Sequence, residues 1–231
     1  MNMLECRGLT KKYKDLTALD HIDLCLESGR IVGLLGPNGS GKTTLIKLSA
    51  RLIQPTSGEI LIMGEKPGRQ SKAILSYLPD REFLPDWMNT RQLLEFYKDF
   101  YTDFRIDLAR EMLNALDITD KMDLRKMSKG TKEKVRLVLT MSREAKIYLL
   151  DEPIAGVDPA ARDFILRTIL QNYAKDALVL ISTHLIADVE SVLDEVVFIR
   201  KGEILLHRRA DELRAETGTS VDAYFREVFR C

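Results

Sequence analysis

Gly36-Pro37-Asn38-Gly39-Ser40-Gly41-Lys42-Thr43 stands between a short apolar run, 31–35, and a segment, 44–52, whose Leu45, Ile46, Leu48 and Leu52 fall at helical spacing. Gly-x4-Gly-Lys-Thr between a strand and a helix is the pattern of a phosphate-binding loop, the P-loop. Glycines let the backbone curl so that successive N–H groups face inward, and the following helix turns its positive end to the same point. Gly36, Pro37, Asn38, Gly39, Ser40, Gly41 and Thr44 thus read as a cradle for a nucleotide's phosphates. Lys42 reads as the cation that reaches the β- and γ-phosphates, and Thr43 as a ligand of Mg²⁺.

The second half of such a site is Ile147-Tyr148-Leu149-Leu150-Asp151-Glu152. Four apolar residues predict a buried strand, and the two carboxylates follow at its C-terminal edge, where open α/β sheets bind ligands. Asp151 is expected to hold Mg²⁺ through its water shell, and Glu152 to accept a proton from an attacking water.

Outward from these motifs, the pattern predicts strands over 4–9, 19–26, 59–63 and 73–78. From 80 to 143 apolar residues recur at three and four, predicting helices over 90–100, 107–116 and 129–142. Alternation then resumes with a strand over 146–150, a helix over 159–173 and a strand over 177–182. Strands over 196–200 and 203–207 form a hairpin around Lys201-Gly202, and two short helices close the chain. The fold class is α/β, a parallel sheet interrupted by a helical insertion.

The chain has 231 residues, 35 basic and 35 acidic, so the formal net charge is zero. That balance excludes a protein that coats nucleic acid by bulk electrostatics. No apolar run reaches the roughly 18 residues of a bilayer span, and residues 1–10 lack a signal-peptide core, so the chain is not expected to be exported. Cys6, Cys25 and Cys231 have neither metal nor redox spacing; they read as reduced thiols, with Cys6 and Cys25 packed as small apolar residues. The basic stretch 121–136 reads as a solvated helical face, with a contribution to the phosphate field as the alternative.

At this point the chain resembles the ABC-type ATPases, the nucleotide-binding subunits of ABC transporters, over essentially its whole length. The family's Leu-Ser-Gly-Gly-Gln signature is matched by Met127-Ser128-Lys129-Gly130-Thr131, a variant similar to that of small bacterial subunits that pair with a separate membrane protein. The resemblance implies that Ser128 and Gly130 cap ATP held by the P-loop of a partner in a head-to-tail dimer. It implies that Ala155-Gly156-Val157-Asp158 is the loop that crosses the dimer interface, although Asp158-Pro159 also suits a helix start. His184 matches the switch histidine at the γ-phosphate, and Tyr13 the aromatic that stacks on adenine, with an edge-strand tyrosine as the alternative. The implied fold is a P-loop NTPase core of ABC type with an antiparallel β subdomain and a helical insertion. It is a single ATPase domain, 1–231, with its core at 1–80 and 144–231 and a helical subdomain at 81–143.

One position departs from the family. A glutamine that ligates Mg²⁺ is expected after Pro79, and Asp80 stands there. Asp80 can still ligate the metal, but it adds negative charge and cannot donate a hydrogen bond when ionised. Alternatively, it points away until a membrane partner docks. Residues 81–88, with Phe83, Leu84, Trp87 and Met88, resemble the segment that receives a permease helix, and packing inside the helical subdomain is the other reading. The implied function is an ATP hydrolase powering a transmembrane permease on the cytoplasmic face of the membrane, as a homodimer or with a related ATPase subunit. It uses ATP and Mg²⁺, binds no nucleic acid and meets the membrane only through the permease. A soluble ABC ATPase serving an assembly or regulatory partner is the alternative, and a non-hydrolysing nucleotide sensor is argued against by Lys42, Asp151, Glu152 and His184.

Overall fold

The computed structural model describes residues 1–156 and 159–229, the side chains of 159–161 apart. The chain opens with two long antiparallel strands, β1 (Asn2–Tyr13) and β2 (Leu16–Glu27), then β3 (Arg30–Leu35) and helix α1 (Lys42–Ser49). β4 (Ser57–Ile62), α2 (Arg69–Ala73) and β5 (Leu75–Leu78) lead to three helices, α3 (Thr90–Phe100), α4 (Ile106–Asn114) and α5 (Lys129–Met141). β6 (Ile147–Asp151), α6 (Pro159–Asn172), β7 (Leu178–Thr183), α7 (Ile186–Val189), β8 (Glu195–Arg200), β9 (Glu203–Arg209), α8 (Ala210–Thr217) and α9 (Val221–Val228) complete it.

Two sheets result, a three-stranded antiparallel one in the order β2-β1-β4 and a six-stranded one in the order β5-β6-β7-β3-β8-β9. The second is parallel from β5 to β8, and β9 joins as the antiparallel arm of the expected hairpin. Side chains alternate across its strands. Val32, Leu34, Ile147, Leu149, Leu178 and Leu180 face the core shared with β1, β2 and α1. Ile31, Leu35, Tyr148, Leu150, Val179 and Ile181 face the opposite core, with Ile165 of α6 and Phe198. Both faces are therefore covered, which is why these strands read as unbroken apolar runs.

A third cluster lies within the helical segment, from Leu84 and Met88 through Leu93, Leu94 and Phe104 to Val135 and Leu139. α5 serves two clusters, because Leu137 and Met141 turn to the sheet while Val135, Val138 and Leu139 turn to the helices. Arg143, just beyond α5, fastens the same junction. Its guanidinium grips both oxygens of Asp103 at 2.9 Å, donates to the carbonyls of Leu75 (2.7 Å) and Ala73 (2.6 Å), and lies over the Tyr101 ring. The edge strand β5 is thus held from its open side.

Several boundaries differ from the sequence expectation. Ala73 belongs to α2, whose start is closed by Gly68 N–H donating to Ser71 Oγ, and β5 begins two residues later. Leu52 falls outside α1, because Arg51 adopts a positive φ of 52° and ends the helix, leaving Leu52 exposed. Cys6 is buried, and desolvation pushes its thiol up to about 12. Cys25 is not buried: β2 turns Leu24 and Leu26 inward, and period two sends Cys25 to solvent. Tyr13 ends the central strand of its sheet rather than an edge strand. The basic stretch 121–136 is not uniformly solvated, since Arg136 is buried. Asp158 and Cys231 lie outside the described residues.

Arg143→Ala leaves Asp103 and two carbonyls without their partner and is expected to lower stability by about 3 kcal/mol. Urea unfolding of the two proteins measures it.

Candidate functional site

The site grows from strand ends. Adjacent parallel strands β3, β7 and β6 end at Leu35, Thr183 and Asp151, in register as Leu35↔Thr183 and Asp151↔Ser182. The residues that follow these ends are the phosphate loop, His184 and Glu152. Two of the loop's glycines are required by contact. A Cβ at Gly36 would meet the Ile199 carbonyl at 2.3 Å, and one at Gly41, where φ is 111°, the Ala18 carbonyl at 2.6 Å.

Lys42 is 5% exposed. Its ammonium donates to the carbonyls of Gly36 (2.8 Å) and Pro37 (3.2 Å) and pairs with Glu152 Oε1 at 3.3 Å. The other carboxylate oxygen of Glu152 is 3.0 Å from His184 Nδ1. Glu152 has a positive φ of 50°, a strained conformation for a residue with a side chain, and Ser182 holds it by accepting its N–H at the backbone carbonyl (3.0 Å) and at Oγ (3.2 Å). The result is a continuous cation–anion–imidazole chain at the mouth of the loop.

Asp151 is buried beside it. Its Oδ1 accepts from Ser182 Oγ (2.6 Å) and Thr43 Oγ1 (3.1 Å), whereas Oδ2 has no partner among the described residues. Burial pushes the Asp151 carboxyl up; the two hydroxyls pull it back, and the charges of Asp80 and Glu152 push it up again. An orphaned carboxylate oxygen next to a threonine hydroxyl fits a small divalent cation that completes its shell with phosphate oxygens and water. Among the described residues no group of three His, Cys, Asp or Glu side chains forms a protein-only metal cage.

Asp80 lines the same cavity, of about 400 Å³, as Asn38, Asp151, Glu152, His184 and Lys129. Of the expected residues that are described, three stand apart, and Asp158 lies outside the described residues. Tyr13 stands apart on the antiparallel sheet, half exposed, with Lys11 Nζ 5.0 Å from its ring. Ser128, exposed, and Gly130, half-buried, lie outside that cavity. Ser128 Oγ caps α5 by accepting from Thr131 N–H at 3.1 Å, and among the described residues nothing lies within 4 Å of a Cβ at Gly130. No contact among the described residues demands that glycine. In the 81–88 segment Leu84 and Met88 pack inward, as the packing reading expects, while Trp87 is 76% exposed.

Sequence reasoning missed Ser182, which donates to the Asp151 carboxylate and holds the Glu152 backbone N–H. A serine ending an otherwise apolar buried strand was the available signal. It also missed Arg136, which lines the cavity.

A profile of the ABC transporter family matches residues 19–155. The chain is 32% identical over 217 residues to the ABC transporter ATP-binding protein YtrB of Bacillus subtilis, covering 93% of this chain and 74% of that protein. It is 31% identical over 230 residues to the daunorubicin resistance ATP-binding protein DrrA3 of Streptomyces coeruleorubidus, covering 96% and 73%. A solved ATP-binding subunit of an ABC transporter superposes with a TM-score of 0.88 at 27% identity, over 99% of this chain and all of that one.

Folding raises the pKa of Asp151, so its ionised form costs the folded state. That cost is absent below the free value of 3.8, grows as pH rises to the folded value and is fully present above it. Asp151→Asn removes it and is expected to raise the melting temperature of the nucleotide-free protein at neutral pH by roughly 2–4 °C. The gain shrinks in scans below the free carboxylate pKa.

Proposed function

This chain belongs to the ABC transporter family as an ATP-binding, ATP-hydrolysing member, and on that premise we propose that two such ATPase chains close around ATP to drive a separate transmembrane permease. The observation that supports the reading most directly is the run of contacts from Lys42 through Glu152 to His184, beside the Thr43–Asp151 pair.

When phosphates enter the loop, Lys42 exchanges the Gly36 and Pro37 carbonyls and Glu152 for phosphate oxygens. The exchange frees one carboxylate oxygen of Glu152 while His184 keeps the other oriented. Glu152 then takes a proton from the water that attacks the γ-phosphorus; the bond to the leaving ADP oxygen breaks, and ADP and phosphate result. Thr43, Asp151 and Asp80 would hold Mg²⁺, which when bound supplies charge neutralisation at the phosphates. Tyr13 stacks on the adenine ring.

Ser128 and Gly130 act on the mate's nucleotide. The exposure of Ser128 and, among the described residues, the open space beside Gly130 support a close approach by another chain. The capped pair excludes water except for the one that reacts. A core at 1–80 and 144–231 would carry the nucleotide, and a helical subdomain at 81–143, with its own apolar cluster, would meet the permease through Trp87 and Phe83. Among the described residues no helix is long and apolar enough to cross a membrane. The chain would therefore sit peripherally on the cytoplasmic face, as a homodimer or paired with a related subunit.

Glu152→Gln is expected to slow hydrolysis about 100-fold or more while ATP affinity stays near that of the wild type. Lys42→Ala should weaken ATP binding by at least about tenfold in a calorimetric titration. Asp80→Ala should raise the Mg²⁺ concentration needed for half-maximal turnover; an unchanged requirement removes Asp80 from the metal shell.

A further inference from the structure

α5 begins at the Ser128–Gly130 turn and carries three charged residues, Lys132, Glu133 and Arg136, toward the segment that leaves β5. Arg136 is only 7% exposed, between the fully buried Val135 and Leu137. A guanidinium in that setting is costly unless its partners compensate it.

The partners lie on one stretch of chain. Arg136 Nη2 donates to the Pro79 carbonyl, the guanidinium lies 5.2 Å from the Phe83 ring centroid, and Asp80, Glu82 and Glu133 supply the negative charge around it. Its Nε has no partner among the described residues. One turn earlier, Lys132 pairs with Glu82 at 2.6 Å and Asp86 at 3.0 Å. Two cations four residues apart on α5 thus hold 79–86 at Pro79, Glu82, Phe83 and Asp86, and Asp80 directly follows the held Pro79 carbonyl.

We infer that Arg136 is a positioning residue for hydrolysis: it fixes Asp80 at the nucleotide site by holding the Pro79 carbonyl, and it ties that position to the helix whose first turn caps the partner's ATP. The inference rests on the proposed roles of Asp80 and Ser128. Eight residues of helix, about 12 Å, separate Ser128 from Arg136. A displacement of the capping turn is therefore passed along a rigid rod to the strand end beside Asp151 and Glu152. The charge that Asp80 adds to the site is also met here by a fixed cation.

Arg136→Met tests this, because it keeps the side-chain volume against Phe83 and removes the donor and the charge. Trp87 is the only tryptophan and directly follows Asp86, the last clamped residue, so it reports the clamp without turnover. Time-resolved anisotropy of the nucleotide-free variant should show a larger nanosecond component than the wild type. Its kcat should fall about tenfold, with ATP affinity within twofold. Combined with Asp80→Asn, kcat should stay within about twofold of the slower single variant, because both changes break one linkage. Arg136→Lys, which keeps a cation and a donor, should recover kcat to within about threefold of wild type. Should Arg136→Met not fold, Arg136→Gln is read in the same way. Unchanged anisotropy, unchanged kcat, losses that multiply in the double variant, or a lysine variant as slow as the methionine one each overturn the inference. Wild type and Glu152→Gln run in the same assay: a failure of the hydrolysis reading shows in those two proteins, and a failure of the Arg136 role in the variants alone.

Discussion

A lysine ammonium withdrawn from water must find oxygens, and the fold exists to decide which. Lys42 opens α1 at the end of the loop that leads from β3, and its oxygens are two carbonyls of that loop and one carboxylate oxygen of Glu152. Each is a contact that phosphate oxygens can replace. The burial that makes the ammonium hold them in the free chain is also what makes it an effective partner for a triphosphate. Everything around the site serves that arrangement. Parallel strands bring three chain segments to one edge, the close carbonyls of Ala18 and Ile199 force glycine into the loop, and Ser182 holds Glu152 in a backbone conformation that side chains avoid.

The second constraint concerns α5. Its apolar residues split between the sheet and the helical segment, while its first turn is only partly covered. A helix so placed cannot shift without disturbing either core, so it moves as a unit with what it is fastened to. Arg143 at its far end and Arg136 along its length connect it to the two ends of β5, and β5 pairs directly with the strand that bears Asp151. Contacts thus run without a break from the first turn of α5 to the strand that bears Asp151.

How much of this the sequence disclosed depended on whether the information was local. The phosphate loop and the strand ending in Asp151-Glu152 are continuous stretches with strict steric and chemical demands, and the structure brings both to one cavity. The apolar alternation that builds the sheet was equally plain, but element ends drifted: β1 and β2 run past the expected stretches at both ends, and the positive φ of Arg51 ends α1 early. Partners distant in the chain were not legible. Nothing near Arg136 in sequence announces Pro79, and nothing near Arg143 announces Asp103. A periodic basic stretch looks solvated until the loop that covers one of its residues is known. Cys25 shows the same limit in a strand, since composition says that a thiol packs and only the register says which face it takes.

The central claim is that ATP joins two chains, with the serine–glycine turn of each closing the lysine cradle of the other. Sedimentation velocity of the Glu152→Gln protein, with saturating ATP and Mg²⁺ and with any companion ATPase subunit supplied, tests it most directly. The account predicts a species of twice the single-chain mass that reverts to one chain when nucleotide is withdrawn. A protein that binds ATP fully and sediments only as a single chain would contradict it.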